Sequence, residues 1–335
     1  MSDSVSLPLK AGDQAVSEYG AWGTGHETAT NLAATYSLRT RLTWAGLALL
    51  SAILLAGFWN FPLVDGFGRD FVAGPTIGDT QEAAASFASR GALFGIFFGA
   101  IAGLAATFTA CNCVVFAIIP GLACADRRNS IRRSALHALA ILMGGVTLIG
   151  ILYGVFIGFL GPEGIQAFNT RAVRIAQAQI VFSAIGLAML FWGALEFGFL
   201  PGLVARCSPA TRAFFAQPTT RAALMGLMVG LFMVGRPYPL FRDFLTYAAE
   251  SQSPLYGAAI MMVQGLGQIA VMVVLFLVLV YGFGDRLQRW MTAKPARLTL
   301  ISAASLSAGG MYFLYYWGIA RIWDLGSWGF KLGWY

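Results

Sequence analysis

Charge is what this chain has least of. Asp, Glu, Lys and Arg make up 11% of its 335 residues, against roughly a quarter in ordinary soluble domains. That shortage excludes a conventional water-facing surface over most of the molecule. Histidine is scarcer still: His26 lies in the polar N-terminal region and His137 stands beside an arginine cluster. No second His lies in an apolar segment to pair with it, so haem ligation is not expected. Four cysteines are too few, and too badly placed, for an exported disulfide scaffold. Patterns for a nucleotide-binding loop, a zinc-protease helix, a nucleophile elbow and an EF-hand are all missing. Residues 1–40 are polar, mixed in charge and lack the apolar core of a secretory signal. They are expected to be disordered or to lie on the cytoplasmic surface. The net charge of +7 fits basic loops at a membrane better than nucleic-acid binding in a chain this apolar.

Apolar runs are what the chain has in abundance. Hydrophobic residues make up 58%, with 40 glycines among the rest. The longest run, Gly91–Cys124, carries no charge over 34 residues, more than enough for a hydrocarbon core of about 30 Å. Apolar runs between charged loops predict an all-α polytopic membrane bundle of seven transmembrane helices. They fall near Leu42–Phe61, Gly91–Cys124, Leu136–Leu160, Ile180–Val204, Ala222–Leu245, Tyr256–Phe283 and Leu298–Ile322. Arg127, Arg128, Arg132 and Arg133 follow the second run, and Arg206, Arg212 and Arg221 follow the fourth. Basic loops alternate with weakly charged ones, which predicts a cytoplasmic N-terminus and an external C-terminus. The sequence therefore divides into a polar tail (1–41), an extra helix with an external loop (42–90), and a three-helix unit (91–204). A cytoplasmic loop (205–221), a second three-helix unit (222–322) and an external aromatic tail (323–335) complete it.

The octapeptide Ala92-Leu93-Phe94-Gly95-Ile96-Phe97-Phe98-Gly99 recurs as Ala223-Leu224-Met225-Gly226-Leu227-Met228-Val229-Gly230. With three spans per unit the two copies run in opposite directions, so the pattern predicts an inverted 3+3 repeat. Small-xxx-small spacing chosen for close helix packing is the alternative. Each copy is followed by a disruption: Thr109-Ala110-Cys111-Asn112-Cys113 and Pro120 after the first, Gly235-Arg236-Pro237-Tyr238-Pro239 after the second.

Cys111 and Cys113 are candidate redox residues. Thiol exchange needs a thiolate, which burial in hydrocarbon suppresses, so both would react only if the break before Pro120 admits water. On an intact helix they point about 200° apart, whereas an unwound segment could bring them together. Packing is the alternative, since free cysteine is commonly buried; a soft-metal thiolate site is a third. Cys124 and Cys207 read as filler at cytoplasmic helix ends. Ionisable groups inside spans are costly, and so are functional candidates. Glu196 and Arg236 qualify: they could pair, or Arg236 could draw an anion or thiolate toward Pro237, Tyr238 and Pro239. Arg242 and Asp243 are expected at the outer interface, and Gln264 and Gln268, one turn apart, as glue between helices.

From Gly91 to Trp317 the chain resembles the transmembrane domain of the cytochrome c biogenesis CcdA / disulfide reductase DsbD family. The matching stretches are Ala102-Gly103-Leu104 with the Cys111–Cys113 and Pro120 segment, Gly235-Arg236-Pro237-Tyr238-Pro239, and Gly257-Ala258 through Leu266-Gly267. The CNCVVFAIIPGL stretch and the extra leading helix are similar to the methylamine-utilisation (MauF) branch of that family. The resemblance implies passage of reducing equivalents from a cytoplasmic thioredoxin-like donor to an exported client. In this branch the client is methylamine dehydrogenase, with a disulfide-rich small subunit. It implies a bacterial inner-membrane location and no bound cofactor or metal. Two departures stand out: Ala110 replaces the proline expected before the cysteine, and Tyr238 occupies the place of the second-half cysteine. A two-cysteine relay across the halves cannot operate as it does in the family.

Overall fold

The computed structural model describes residues 32–108, 131–293 and 295–334. Among these, every regular element is helical. Eight long or site-bearing helices carry labels here: α1 (Leu38–Gly57), α2 (Phe87–Ala106), α3 (Ile131–Phe168), α4 (Arg171–Phe197), α5 (Pro218–Gly235), α6 (Pro239–Glu250), α7 (Pro254–Ala293) and α8 (Pro295–Phe313). A π-helical turn, Leu314–Ile319, carries α8 on into Ala320–Trp323. Short helices fill the connection from α1 to α2, and Pro201–Arg206 and Pro209–Ala216 lie between α4 and α5. Among the described residues, six helices are long and apolar enough to cross a membrane. A seventh crossing exists if Pro209–Phe215 and Thr219–Gly235, bent by 62°, count as one span.

Local chemistry sets the helix ends. Ser37 caps α1 by accepting the Thr40 N–H, as a short hydroxyl side chain does at an N-cap. Proline opens α5, α6, α7 and α8 (Pro218, Pro239, Pro254, Pro295), its missing N–H costing nothing in a first turn. Gly198, at φ 72°, closes α4 in the left-handed conformation glycine tolerates.

These signals move several predicted boundaries. α4 begins at Arg171 rather than near Ile180, because no glycine or proline interrupts the chain after Thr170; Arg171 and Arg174 form its first turn. The predicted fifth span, Ala222–Leu245, is not one helix. α5 stops at Gly235, Arg236 and Tyr238 are extended, and α6 begins at Pro239. In the predicted second span, α2 ends at Ala106 and a turn follows at Thr107–Phe108. Residues 109–130, with Cys111, Cys113, Pro120 and Cys124, lie outside the described residues.

Polarity is arranged inside out. Leu47, Leu93 (82% exposed), Leu152, Phe159, Ile180 and Val274 face outward, while Arg41, Glu196, Arg236, Arg242, Gln264 and Gln268 are buried. Lipid removes most hydrophobic drive between helices, so close backbone approach must hold the bundle. A Cβ on Gly154 would run into the Gly257 carbonyl oxygen, and one on Gly257 into that of Gly154. Gly186 and Gly310 stand in the same mutual relation across α4 and α8.

These contacts also give directions. Gly226 lies on Leu142 and Gly230 on Val146 and Ile149, so α5 runs parallel to α3. Gly95 lies on Tyr256, Gly99 on Ile260 and Gly103 on Gln264, so α2 runs parallel to α7. Gly150 meets Met261 and Gly158 meets Pro254, so α3 and α7 are antiparallel; Gly186 on Gly310 and Gly193 on Ser307 make α4 and α8 antiparallel.

The predicted extra helix, α1, packs chiefly on α8. Arg41 donates to the Phe197 carbonyl at 2.8 Å, placing a cation at the negative end of α4. The terminal segment folds back on α1: Phe58 meets Trp328 edge-on at 5.5 Å and stacks on Trp334 at 5.1 Å.

Candidate functional site: the interrupted fifth helix

The break between α5 and α6 follows from Arg-Pro-Tyr-Pro. Pro237 and Pro239 lack N–H donors and push the residue before each out of the helical region. Arg236 sits at φ −75°, ψ 116°, and Tyr238 at φ −60°, ψ 129°. Stopping a helix inside an apolar bundle strands carbonyl groups that water cannot reach. The bundle supplies donors instead. Gln177 of α4 donates its amide Nε2 to the Val234 carbonyl. Farther back on α5, away from its stranded end, Gln268 of α7 donates Nε2 to the Val229 carbonyl at 3.3 Å.

The end of α2 meets the same helix. Thr107 Oγ1 lies 2.9 Å from the Gln268 carbonyl oxygen and 3.3 Å from that of Gly267, sharing one hydrogen between them. Gln268 therefore links the end of α2 to the body of α5, the two helices that carry the repeated octapeptide, in the expected helix-to-helix role. One turn away, Gln264 is 0% exposed, and neither end of its amide has a hydrogen-bond partner among the described residues. Because α5 and α7 are antiparallel here (Gln268 at Val229, Gly265 at Met233), Gln264 lies one turn nearer the break than Gln268 does.

Arg236 (2% exposed) and Tyr238 are buried at the break. Beside them stands an aromatic wall: Gly235 abuts Phe182 of α4, whose ring stacks on Phe313 at 5.4 Å and on Trp317 at 5.2 Å. Trp317 belongs to the π-helical turn after α8, a distortion often found near functional positions. The break is thus a polar interruption framed by rigid rings, with Gln177 bonded to the Val234 carbonyl at its edge.

Of the predicted site residues, the structure brings Arg236, Pro237, Tyr238 and Pro239 together and sets Glu196 apart. Glu196 accepts Trp192 Nε1 at 3.1 Å and Arg221 Nη1 at 3.3 Å. It lies fourteen residues along α4 from Phe182, roughly 21 Å at 1.5 Å per residue. Its ion-pair partner among the described residues is Arg221, at the start of α5, so of the two alternatives open for Glu196 and Arg236 mutual pairing is not the one formed. Arg242, expected at the interface, is buried. Cys207, by contrast, keeps partial exposure after the short helix Pro201–Arg206. Sequence reasoning missed Gln177 and Thr107, which are uncharged and unremarkable in composition. A search for side-chain donors opposite a proline-stopped helix would have found Gln177.

Fold and site together define a polytopic, membrane-type helix bundle interrupted at Arg-Pro-Tyr-Pro, with Arg236 and Tyr238 buried. Comparison with protein-family models, with curated proteins and with solved structures gives no match.

Proposed function

We propose that this chain is a CcdA-like integral membrane protein supporting thiol-linked maturation or export of a periplasmic enzyme, with methylamine dehydrogenase as its client. The observation that carries the reading is the shared ending of the two repeat copies. Gly99 is followed by a helix end at Ala106, and Gly230 by one at Gly235. An inverted 3+3 repeat accounts for this. Exchanging α2 with α5, α3 with α7 and α4 with α8 carries the parallel pair α2–α7 onto the parallel pair α5–α3. It leaves α3–α7 and α4–α8 antiparallel, as they are. The repeated glycines also face equivalent neighbours, Gly95 and Gly99 on α7 and Gly226 and Gly230 on α3. Paired helix interruptions in such a repeat are where membrane proteins of this design place their working groups.

In this reading Cys111 and Cys113 lie just past the α2 interruption and work as one pair. Their two thiols reduce a client disulfide to a dithiol, giving up two electrons and two protons and closing a disulfide of their own. A thioredoxin-like cytoplasmic dithiol then reduces that disulfide by exchange. Both sulfurs come from one half, which accommodates Tyr238 in the place of the second cysteine. The protein resides in a bacterial inner membrane, N-terminus cytoplasmic and C-terminus periplasmic.

The test is alkylation of Cys111 and Cys113 in intact membranes, before and after oxidant and reductant. Labelling that follows the redox treatment, with loss of client maturation in Cys111→Ser and Cys113→Ser, is expected. Full maturation by both variants would sink the thiol role. The burial of Arg236 at the break supports a second reading, a transporter of a small solute without thiol chemistry. In that case both serine variants keep activity and Arg236→Ala loses it.

A further inference from the structure

Another buried arginine lies in the first turn of α6. Arg242 is 4% exposed and is gripped from two sides. Its Nη1 donates to Asn169 Oδ1 at 2.9 Å, and its guanidinium carbon stands 5.6 Å from the centre of the Phe168 ring. Asn169 is itself fixed: its Nδ2 donates to Thr246 Oγ1 at 3.1 Å, and that hydroxyl donates to the Arg242 carbonyl, also at 3.1 Å. This closed circuit sets the plane of the guanidinium. It leaves Nε and Nη2 buried with no acceptor among the described residues. Those two nitrogens form the side-on edge whose parallel N–H bonds match the two oxygens of an oxyanion.

The surroundings do not supply the missing charge. No carboxylate lies within ion-pair distance of Arg242 among the described residues. Asp243, next in the chain, accepts the Thr80 hydroxyl at 2.7 Å and lies within electrostatic range of Arg174, outside ion-pair distance of either arginine. Arg174 of α4 lies within electrostatic range of Arg242, and its own Nε is buried without an acceptor among the described residues. Two neighbouring cations thus hold three nitrogens unanswered by any described residue. An arginine cannot shed its proton, and a buried charge without a counter-charge is strongly disfavoured.

We propose that Arg242, with Arg174 beside it, forms a binding site for a phosphate-type oxyanion, held bidentately on the Nε–Nη2 edge. The anion comes either from solution or from a lipid headgroup, and the test separates these sources. Purified full-length protein is placed in nanodiscs of phosphatidylcholine, and its unfolding midpoint is followed with inorganic phosphate against chloride at matched ionic strength. A parallel arm replaces a third of the lipid with phosphatidylglycerol and omits phosphate. The expected result is a raised midpoint in one arm, with half-saturation at least tenfold higher in Arg242→Gln and several-fold higher in Asn169→Ala. Exposed Arg321→Gln serves as control and leaves it unchanged. Should Arg242→Gln fail to fold, Asn169→Ala carries the comparison, because it keeps the charge and frees the guanidinium. The proposal is overturned if neither anion stabilises the wild type, or if the variants respond as the wild type does.

Discussion

At the scale of single residues, the structure gives the buried carboxylate Glu196 an ion-pair partner other than Arg236. Glu196 is buried and held by Trp192 and by Arg221, whose side chain is 29% exposed. Removing one member of a buried pair leaves the other charge stranded, at about 3–5 kcal/mol when both are fully buried. Water reaches Arg221, so the expected loss for Arg221→Met is smaller, about 1–2 kcal/mol. Glu196→Gln in the same chain should recover most of it. Unfolding midpoints of the four chains in detergent give the coupling directly; additive effects would mean that the contact contributes nothing. The candidate residues at the break were legible because proline states its effect in the sequence. Glu196's partner was not, since Arg221 lies twenty-five residues on, beyond a loop whose path no local pattern dictates. Burial of Arg242 was hidden for a related reason: a polar helix beside a membrane span looks interfacial until the elements covering it are known.

Helices and their contacts carry the next set of expectations. A methyl group added at Gly144 would have nothing within 4 Å, whereas one added at Gly154 would strike the Gly257 backbone. Gly144→Ala should therefore be neutral or stabilising by up to ~1 kcal/mol, through helix propensity. Gly154→Ala should cost about 1–3 kcal/mol by forcing α3 from α7. Thermal unfolding of the two variants side by side checks this; equal effects would show that the approach of α3 to α7 can relax freely. The apolar runs revealed most of the helices, and prolines marked the starts of four. What composition could not tell was which helix would lie on which, because in lipid every outward face is greasy and every glycine is a possible contact. Pairing emerged only from the backbone approaches.

For the molecule as a whole, the count of crossings decides on which sides the termini lie. Seven crossings put them on opposite sides; six put them on the same side. A fluorescent reporter on the N-terminus should light up in the cytoplasm. Alkaline phosphatase fused after Tyr335 should be active outside. Activity of both on one side would mean that the bent segment 209–235 does not cross. The same architecture has a bearing on biogenesis. The inner face of α1 rests on α8, Arg41 waits for carbonyls at Phe197 and Gly198, and Phe58 is covered by Trp328 and Trp334. α1 thus finds its main seat only once α8, far along the chain, has been translated. A chain halted before Pro295 would leave the row Ala45, Ala48, Ala52 and Ala56 without its α8 neighbour, a feature that quality-control proteases could use to tell unfinished copies from finished ones.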